Sequence, residues 1–257
     1  MPGLTTWEYF GIRWQRTLEL AGRLGLSRKR GSGAPEVTYL ITIFNAAFIF
    51  LACRMPSPIR GFILRSVFQW DIHPSARIGL SLFVNSGHVE LAADARIGHF
   101  TVFKDIRRLS LGNHTTIGNW NWLSSAPVIQ GATCSITIGE HSSITSRHYI
   151  DATGGVDIGA FVTLAGHRGT VLSHQIDLAE CRQQALPIRI GDYCLIGSDV
   201  RFVPGAAVGD YIQIAMGSVV VGHLSESYSL YGGVPARNLR AIPKSAAYFS
   251  RGTGAVR

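Results

Sequence analysis

Charge is scarce in this chain. Asp, Glu, Lys and Arg make up 16% of its 257 residues and hydrophobic residues 46%, against about 25% charged in an ordinary globular domain, a balance that excludes intrinsic disorder. Long apolar runs are missing too. No stretch as long as a spanning helix is free of polar interruption, which excludes a polytopic membrane protein. Cysteine is sparse: Cys53, Cys134, Cys181 and Cys194 lie too far apart for a zinc knuckle or a CxxC pair, and no cleavable signal peptide opens the chain. Reduced thiols in a cytoplasmic compartment are therefore expected. What the chain does hold in quantity is glycine, 29 residues, the material of regular turns.

The net charge of +8 is unevenly spread. Residues 1–70 carry nine Lys or Arg against three acids, and residues 71–257 carry fifteen against thirteen. The basic excess thus belongs to the amino-terminal quarter, and the larger part has neither a basic face nor a motif for nucleic acid. Trp7, Phe10, Trp14, Leu18, Ala21 and Leu24 recur at helical spacing, the stripe of an amphipathic helix. Arg28, Lys29 and Arg30 and a Gly-Ser-Gly-Ala-Pro stretch follow. The apolar run Val37 to Cys53 sits at the lower limit of length for spanning a bilayer. Aromatic plus basic faces fit a helical extension, residues 1–70, that lies on a membrane surface or packs within an oligomer.

From residue 71 onward an apolar residue recurs every six positions: Ile72, Ile78, Val84; Leu91, Ile97, Phe103; Leu111, Ile117, Leu123; Ile138, Ile144, Ile150; Ile158, Leu164, Thr170; Ile190, Ile196, Phe202; Val208, Ile214, Val220. Only Thr170 breaks the bulky apolar rule. The sixes come in threes, so one coil is three sixes long and has three flat sides, each apolar start stacking on its equivalents above and below. This predicts an all-β solenoid of about seven coils over 71–225, with a tail at 226–257. Coils begin at 72, 91, 111, 138, 158, 190 and 208 and exceed three sixes by 1, 2, 9, 2, 14 and 0. Two loops are therefore extruded, near Val128 to Thr137 and between Val171 and Ile188, and extruded loops on a rigid scaffold are where chemistry is expected.

Three stretches carry a resemblance: Pro187 to Ser198 (PIRIGDYCLIGS) with PGAAVGD and IAMGSVV after it; Gly233 to Arg237 (GVPAR); and Leu172 to Pro187 (LSHQIDLAECRQQALP). They resemble the hexapeptide-repeat acyltransferases, and in particular the polysaccharide O-acetyltransferases. The resemblance implies a left-handed parallel β-helix, a homotrimer, acetyl-CoA as co-substrate, no metal, and a sugar hydroxyl as acceptor in bacterial surface-polysaccharide biosynthesis. It implies a catalytic role for His174, with Asp151 near the acceptor. Leu195 stands where a Trp is commoner in that family, and Gly222 where a Lys is commoner.

A sugar hydroxyl is about nine pK units too weakly acidic to ionise near pH 7, so acyl transfer to it needs a base, and a neutral imidazole supplies one. His174 is expected to take the proton. Asp177 or Asp151 would accept the second imidazole N–H and fix the tautomer. Backbone donors near Gly197 and Ser198 would face a developing oxyanion. Met216, Gly217 and Ser218 would continue the coenzyme groove, and Arg237 and Arg240 would meet its phosphates. His148 and His167 are expected on the acceptor side or in a structural role. The spacings among His141, His148, His167 and His174 do not suit a zinc site. Trp120 and Trp122 are read as packing under the nine-residue loop, with a sugar-ring platform as the other use. N-acetylation of an amino sugar, serine acetylation and a non-catalytic trimeric scaffold stay open as alternatives. The solenoid would face the cytoplasm, where acetyl-CoA is found, and the amino-terminal helices would lie on the inner leaflet, with a small-molecule or lipid-linked acceptor.

Overall fold

The computed structural model describes residues 34–254. The stripe Trp7 to Leu24 and the basic cluster after it lie outside the described residues. The chain divides into two compact units, Met1–Ile41 and Thr42–Arg257, and the second holds the solenoid. Its strands form three flat faces of eight, nine and seven, all parallel but the last of the nine. Each coil gives one strand to each face in turn. On the first face Ile72, Leu91, Leu111, Ile138, Ile158, Ile190 and Val208 pair in register from coil to coil. On the second face Ile78, Ile97, Ile117, Ile144, Leu164, Ile196 and Ile214 do the same. All of these side chains are buried. Fully burying one such side chain is worth roughly 1.5–3 kcal/mol, and none is covered until a neighbouring coil stacks on it.

The third face corrects the period at two places. Phe83, not Val84, points inward and stacks on Phe103 with ring centroids 4.6 Å apart. Val171, not Thr170, fills the core between Ile150 and Phe202, while Thr170 sits in the outward row between Tyr149 and Arg201. The steps from the second to the third face are thus five positions at Ile78 to Phe83 and seven at Leu164 to Val171. The stacking also runs past residue 225. Val208 pairs with Leu224 and Ile214 with Tyr231, and an antiparallel strand, Arg237–Ala241, closes the second face.

Glycines after the inward residues let coils approach. A Cβ at Gly139 would lie 2.6 Å from the Ala160 nitrogen, and one at Gly197 would lie 2.7 Å from the Met216 nitrogen. Where the first face turns into the second, one residue per coil from the second coil on takes a left-handed backbone: Asp94, then the ring-bearing His114, His141, Phe161, Tyr193, Tyr211 and Tyr228. Such a conformation costs an L residue of order 1 kcal/mol. Here the six rings stack in a column with centroids 4.6 to 5.3 Å apart, and stacked aromatic pairs return a comparable amount. The carboxy-terminal segment covers part of the column, with Phe249 edge-on to Tyr211 and Tyr228 and the Arg251 guanidinium 3.8 Å from the Tyr248 ring centroid.

Two helices, α1 (Ala34–Ala52) and α2 (Ser57–Phe68), precede the first coil. Leu64, Ile49, Ala52 and Cys53 join the core, Arg60 donates to the Ala76 carbonyl (2.7 Å), and the Trp70 indole donates to the Gly87 carbonyl (2.7 Å). These contacts close the open end of the stack. Among the described residues no helix is long and apolar enough to cross a membrane.

Candidate active site

The fourteen extra residues form an antiparallel hairpin, His174–Asp177 with Arg182–Ala185, at the corner where the third face turns back into the first. His174 opens it. Its Nδ1 lies 2.7 Å from Oδ2 of Asp151, which ends the third-face strand Tyr149–Asp151 of the coil before. Asp151 is enclosed, and His174 is about one-third exposed (34%). A carboxylate only accepts, so Nδ1 carries the proton and Nε2 is left as the basic nitrogen.

Four further donor contacts hold the carboxylate in place. Oδ1 accepts the Thr153 N–H (3.2 Å) and hydroxyl (2.5 Å), and Oδ2 accepts the Ser173 N–H (2.9 Å) and lies 3.2 Å from the Ser173 hydroxyl. That hydroxyl also lies 2.7 Å from the Asp151 carbonyl and accepts the Gly154 N–H (2.9 Å). A buried carboxylate without such donors would be costly; with them it is a fixed anchor for one imidazole nitrogen. Asp177 has a different role. It accepts the Ala179 and Glu180 N–H groups (3.0 and 3.2 Å) and shapes the hairpin turn.

Thr153 and Ser173 are site residues that sequence reasoning misses. Thr153 carries a signal, since a hydroxyl two residues after Asp is the usual partner in a local turn. Ser173 carries none, because the residue 22 positions from Asp151 becomes its neighbour only through the coil register.

His148 does not line an acceptor surface. It is buried, its Nδ1 accepts the Gly169 N–H (3.1 Å), and the protonated Nε2 lies 3.0 Å from the Thr145 hydroxyl. Both ring nitrogens are thus engaged inside the fold. Burial first, and the His167 ring second, push its pKa from 6.5 down to about 4. His167 itself is exposed. A histidine whose pKa is depressed by folding stabilises the fold fully above its unfolded pKa and loses that contribution as pH falls through its folded pKa. Stability should therefore drop by about 3 kcal/mol between pH 6.5 and 4 through this ring alone. Urea midpoints at pH 7 and 4.5 check this: His148→Gln should show a visibly flatter pH dependence than the parent, and equal slopes would refute it.

The expected coenzyme contacts fall elsewhere. Gly197, Ser198, Met216 and Gly217 occupy the corner between the second and third faces, so one flat side separates them from His174 within a chain. Met216 is 75% exposed and a Cβ at Gly217 would meet nothing within 4 Å. Ser218 is corrected from groove contact to internal brace: it is fully buried, its hydroxyl donates to the Ala215 carbonyl (2.7 Å) and accepts the Gly233 N–H (3.3 Å). Arg237 and Arg240 are exposed on the closing strand. Trp120 and Trp122 are not packed under the loop, being 57% and 46% exposed. Among the described residues no group of three His, Cys, Asp or Glu side chains could hold a metal ion.

Among solved structures, the polysialic acid O-acetyltransferase OatWY superposes with a TM-score of 0.52 at 16% identity, over 70% of this chain and 90% of that one. The fold is the left-handed β-helix of the hexapeptide-repeat acetyltransferases. A hexapeptide-repeat acetyltransferase from Vibrio cholerae O1 biovar eltor, complexed with acetyl coenzyme A, is 18% identical over 84% of this chain and 94% of its own, with a TM-score of 0.44. A maltose O-acetyltransferase from Clostridium difficile 630 is 17% identical over 79% and 89%, with a TM-score of 0.40. No family model matches the chain. In this left-handed β-helix the parallel strands place His174 at the rim of the fifth coil, at the root of the longer excursion.

Proposed function

We propose that this chain is an acetyl-CoA-dependent O-acetyltransferase that acts on a sugar hydroxyl in bacterial surface-polysaccharide biosynthesis. The observation that carries the reading is the imidazole–carboxylate pair of His174 and Asp151, set at the base of the longer of the two excursions from the solenoid. His174 Nε2 takes the acceptor proton, and the Asp151 carboxylate holds the ring in the tautomer that allows it and faces the positive charge that then forms. The structural neighbour OatWY, a polysialic acid O-acetyltransferase, supports a saccharide acceptor.

The residues present suit the co-substrate. The open turn at Met216 and Gly217 would accept a long flexible arm, and the exposed guanidinium groups of Arg237 and Arg240 would meet phosphates. Acetyl-CoA, when bound, supplies an acetyl group already activated as a thioester. Because one flat side lies between that turn and His174, the complete site needs a second copy of the chain, and the reading includes a homotrimer with sites between protomers. It also includes a cytoplasmic location with peripheral contact to the inner leaflet.

The test is thiol release from acetyl-CoA with nucleotide sugars, free sugars and polysaccharide fragments as acceptors, with products identified by mass. Acetylated sugars that lose the group in mild alkali are esters and support O-transfer; alkali-stable products would be amides and move the acceptor to nitrogen. Absence of thiol release with every acceptor, together with no heat of acetyl-CoA binding in calorimetry, would leave a non-catalytic scaffold.

A further inference from the structure

At the end of the stack that α1 and α2 close, the described residues leave large apolar side chains exposed. On α1 the residues that enter the core, Ala46, Ile49 and Cys53 near its end, lie on one side, and the exposed residues Phe44, Ala47 and Leu51 lie on the other at steps of three and four. Met55 in the connection and Ile59 and Phe62 on α2 continue the exposed set; Phe44 is 60%, Leu51 57% and Phe62 71% exposed. Large apolar side chains on contiguous elements of a packed fold mark a surface that something covers.

The charges there name the partner. Residues 42–70 hold three arginines and no acid. Arg54 is exposed, with its guanidinium 5.3 Å from the Phe50 ring centroid. Arg65 is exposed and, among the described residues, its side chain pairs with the equally exposed Asp71 at 3.1 Å, a solvated pair easily exchanged for another anion. Arg60 is consumed inside the fold. Exposed aromatic and aliphatic residues with guanidinium groups beside them and no acid between residues 42 and 70 match the interface of an anionic bilayer.

We infer that this helical end docks flat on an anionic lipid surface, so that the solenoid stands upright and its acceptor is a saccharide chain extending well beyond the first sugar of any lipid carrier. The part about the acceptor rests on the acetyltransferase reading; the docking does not. The reach follows from the coil register. Ile72, Leu91, Leu111, Ile138 and Ile158 occupy successive levels, and four interstrand steps of about 4.8 Å amount to roughly 19 Å. A helix layer adds about 10 Å. His174 leaves the fifth coil, so its imidazole stands about 30 Å above the lipid-facing side of the helices. A hydroxyl on a sugar joined directly to a lipid headgroup is out of its range.

Cys181, in the turn of the hairpin that His174 opens, measures this height. It is exposed while Cys53, Cys134 and Cys194 are buried, so a thiol-reactive fluorophore labels one described site. The full chain labelled there is mixed with vesicles of phosphatidylglycerol and phosphatidylethanolamine carrying a headgroup acceptor dye. Binding is expected, with the label no closer than about 25 Å to the dye plane. Phosphatidylcholine vesicles should bind at least tenfold more weakly. Phe44→Glu with Phe62→Glu should abolish binding to both, and Arg54→Gln should weaken binding to the anionic vesicles by about fivefold while leaving the far-UV spectrum unchanged. A label closer than that, binding indifferent to Arg54→Gln, or no vesicle binding but concentration-dependent self-association that Phe62→Glu abolishes, would overturn the docking. Once a sugar acceptor is found, the same sugar should be acetylated on an oligosaccharide chain and be inert when joined directly to a lipid; equal turnover of both would overturn the reach alone. Failure to acetylate anything would instead count against the acetyltransferase reading and leave the vesicle result standing.

Discussion

Replacing His174 by Ala should lower acetyl transfer by about 10² to 10⁴, the span over which a positioned general base accelerates proton transfer. The loss should appear in kcat rather than in acetyl-CoA affinity, because the proton transfer that the ring serves belongs to the transition state and not to the bound ground state. The fold should survive. His174 is about one-third exposed, and the donors from Thr153 and Ser173 that hold Asp151 remain when the imidazole is gone. Thermal unfolding and sedimentation of the variant should therefore match the parent while initial rates of thiol release collapse. A rate within threefold of the parent would remove His174 from the chemistry.

Asp151→Asn is the sharper test, since it changes one atom and one charge. The carboxylate now accepts on both oxygens: Thr153 donors on Oδ1, the Ser173 N–H and the His174 Nδ1–H on Oδ2. A carboxamide offers one acceptor oxygen and one donor nitrogen, so whichever way it turns, one pair of donors faces an N–H₂ group. Facing Nδ1 with a donor drives the ring to the tautomer protonated on Nε2, which cannot take a proton, and removes the negative charge that balances the imidazolium. In the serine-protease triad the equivalent change costs about 10⁴ in kcat; a loss of about 10² to 10⁴ is expected here, with destabilisation of about 1–3 kcal/mol from the unmatched buried donor. Nitrogen chemical shifts of the His174 ring would report the tautomer directly. An unchanged ring spectrum with an unchanged rate would show that Asp151 does not orient it.

The residues differ in how much of this is legible from the chain alone. The coil count and both excursions follow from the six-residue period, because an inward side chain on each flat side must be bulky and apolar whatever the loops do. The period misplaces Phe83, since Val84 is equally apolar and a repeat cannot choose between adjacent hydrophobes. It misplaces Val171 because the corner holding Gly166 and Gly169 takes one extra residue. Asp151 and Asp177 are equivalent on paper, one a coil away from His174 and the other three positions on, and only the register between coils separates an orienting carboxylate from a turn cap. The chain alone does not separate an acceptor-side from a structural His148, because burial within a corner leaves no mark in the sequence. Trp120 and Trp122 fail in the opposite direction: size argues for burial, but their positions on the coil turn them outward.

The column of stacked rings at the corner between the first and second faces has a bearing on where this molecule can change length. Across that corner the step from Ile72 to Ile78 is six positions, and it is six again at Leu91 to Ile97, Leu111 to Ile117, Ile138 to Ile144, Ile158 to Leu164, Ile190 to Ile196 and Val208 to Ile214. The last coil takes seven, from Leu224 to Tyr231, and still keeps Tyr228 stacked on Tyr211, so one extra residue is the most this corner shows. The opposite edge has no such gauge: from the third face to the first the step is eight at Ile150 to Ile158, fifteen at Leu123 to Ile138 and nineteen at Val171 to Ile190. One seam therefore varies by a single residue, at Leu224 to Tyr231, while the other is free to diversify, and new substrate preferences can be grafted onto the free edge without retuning the rest of the stack.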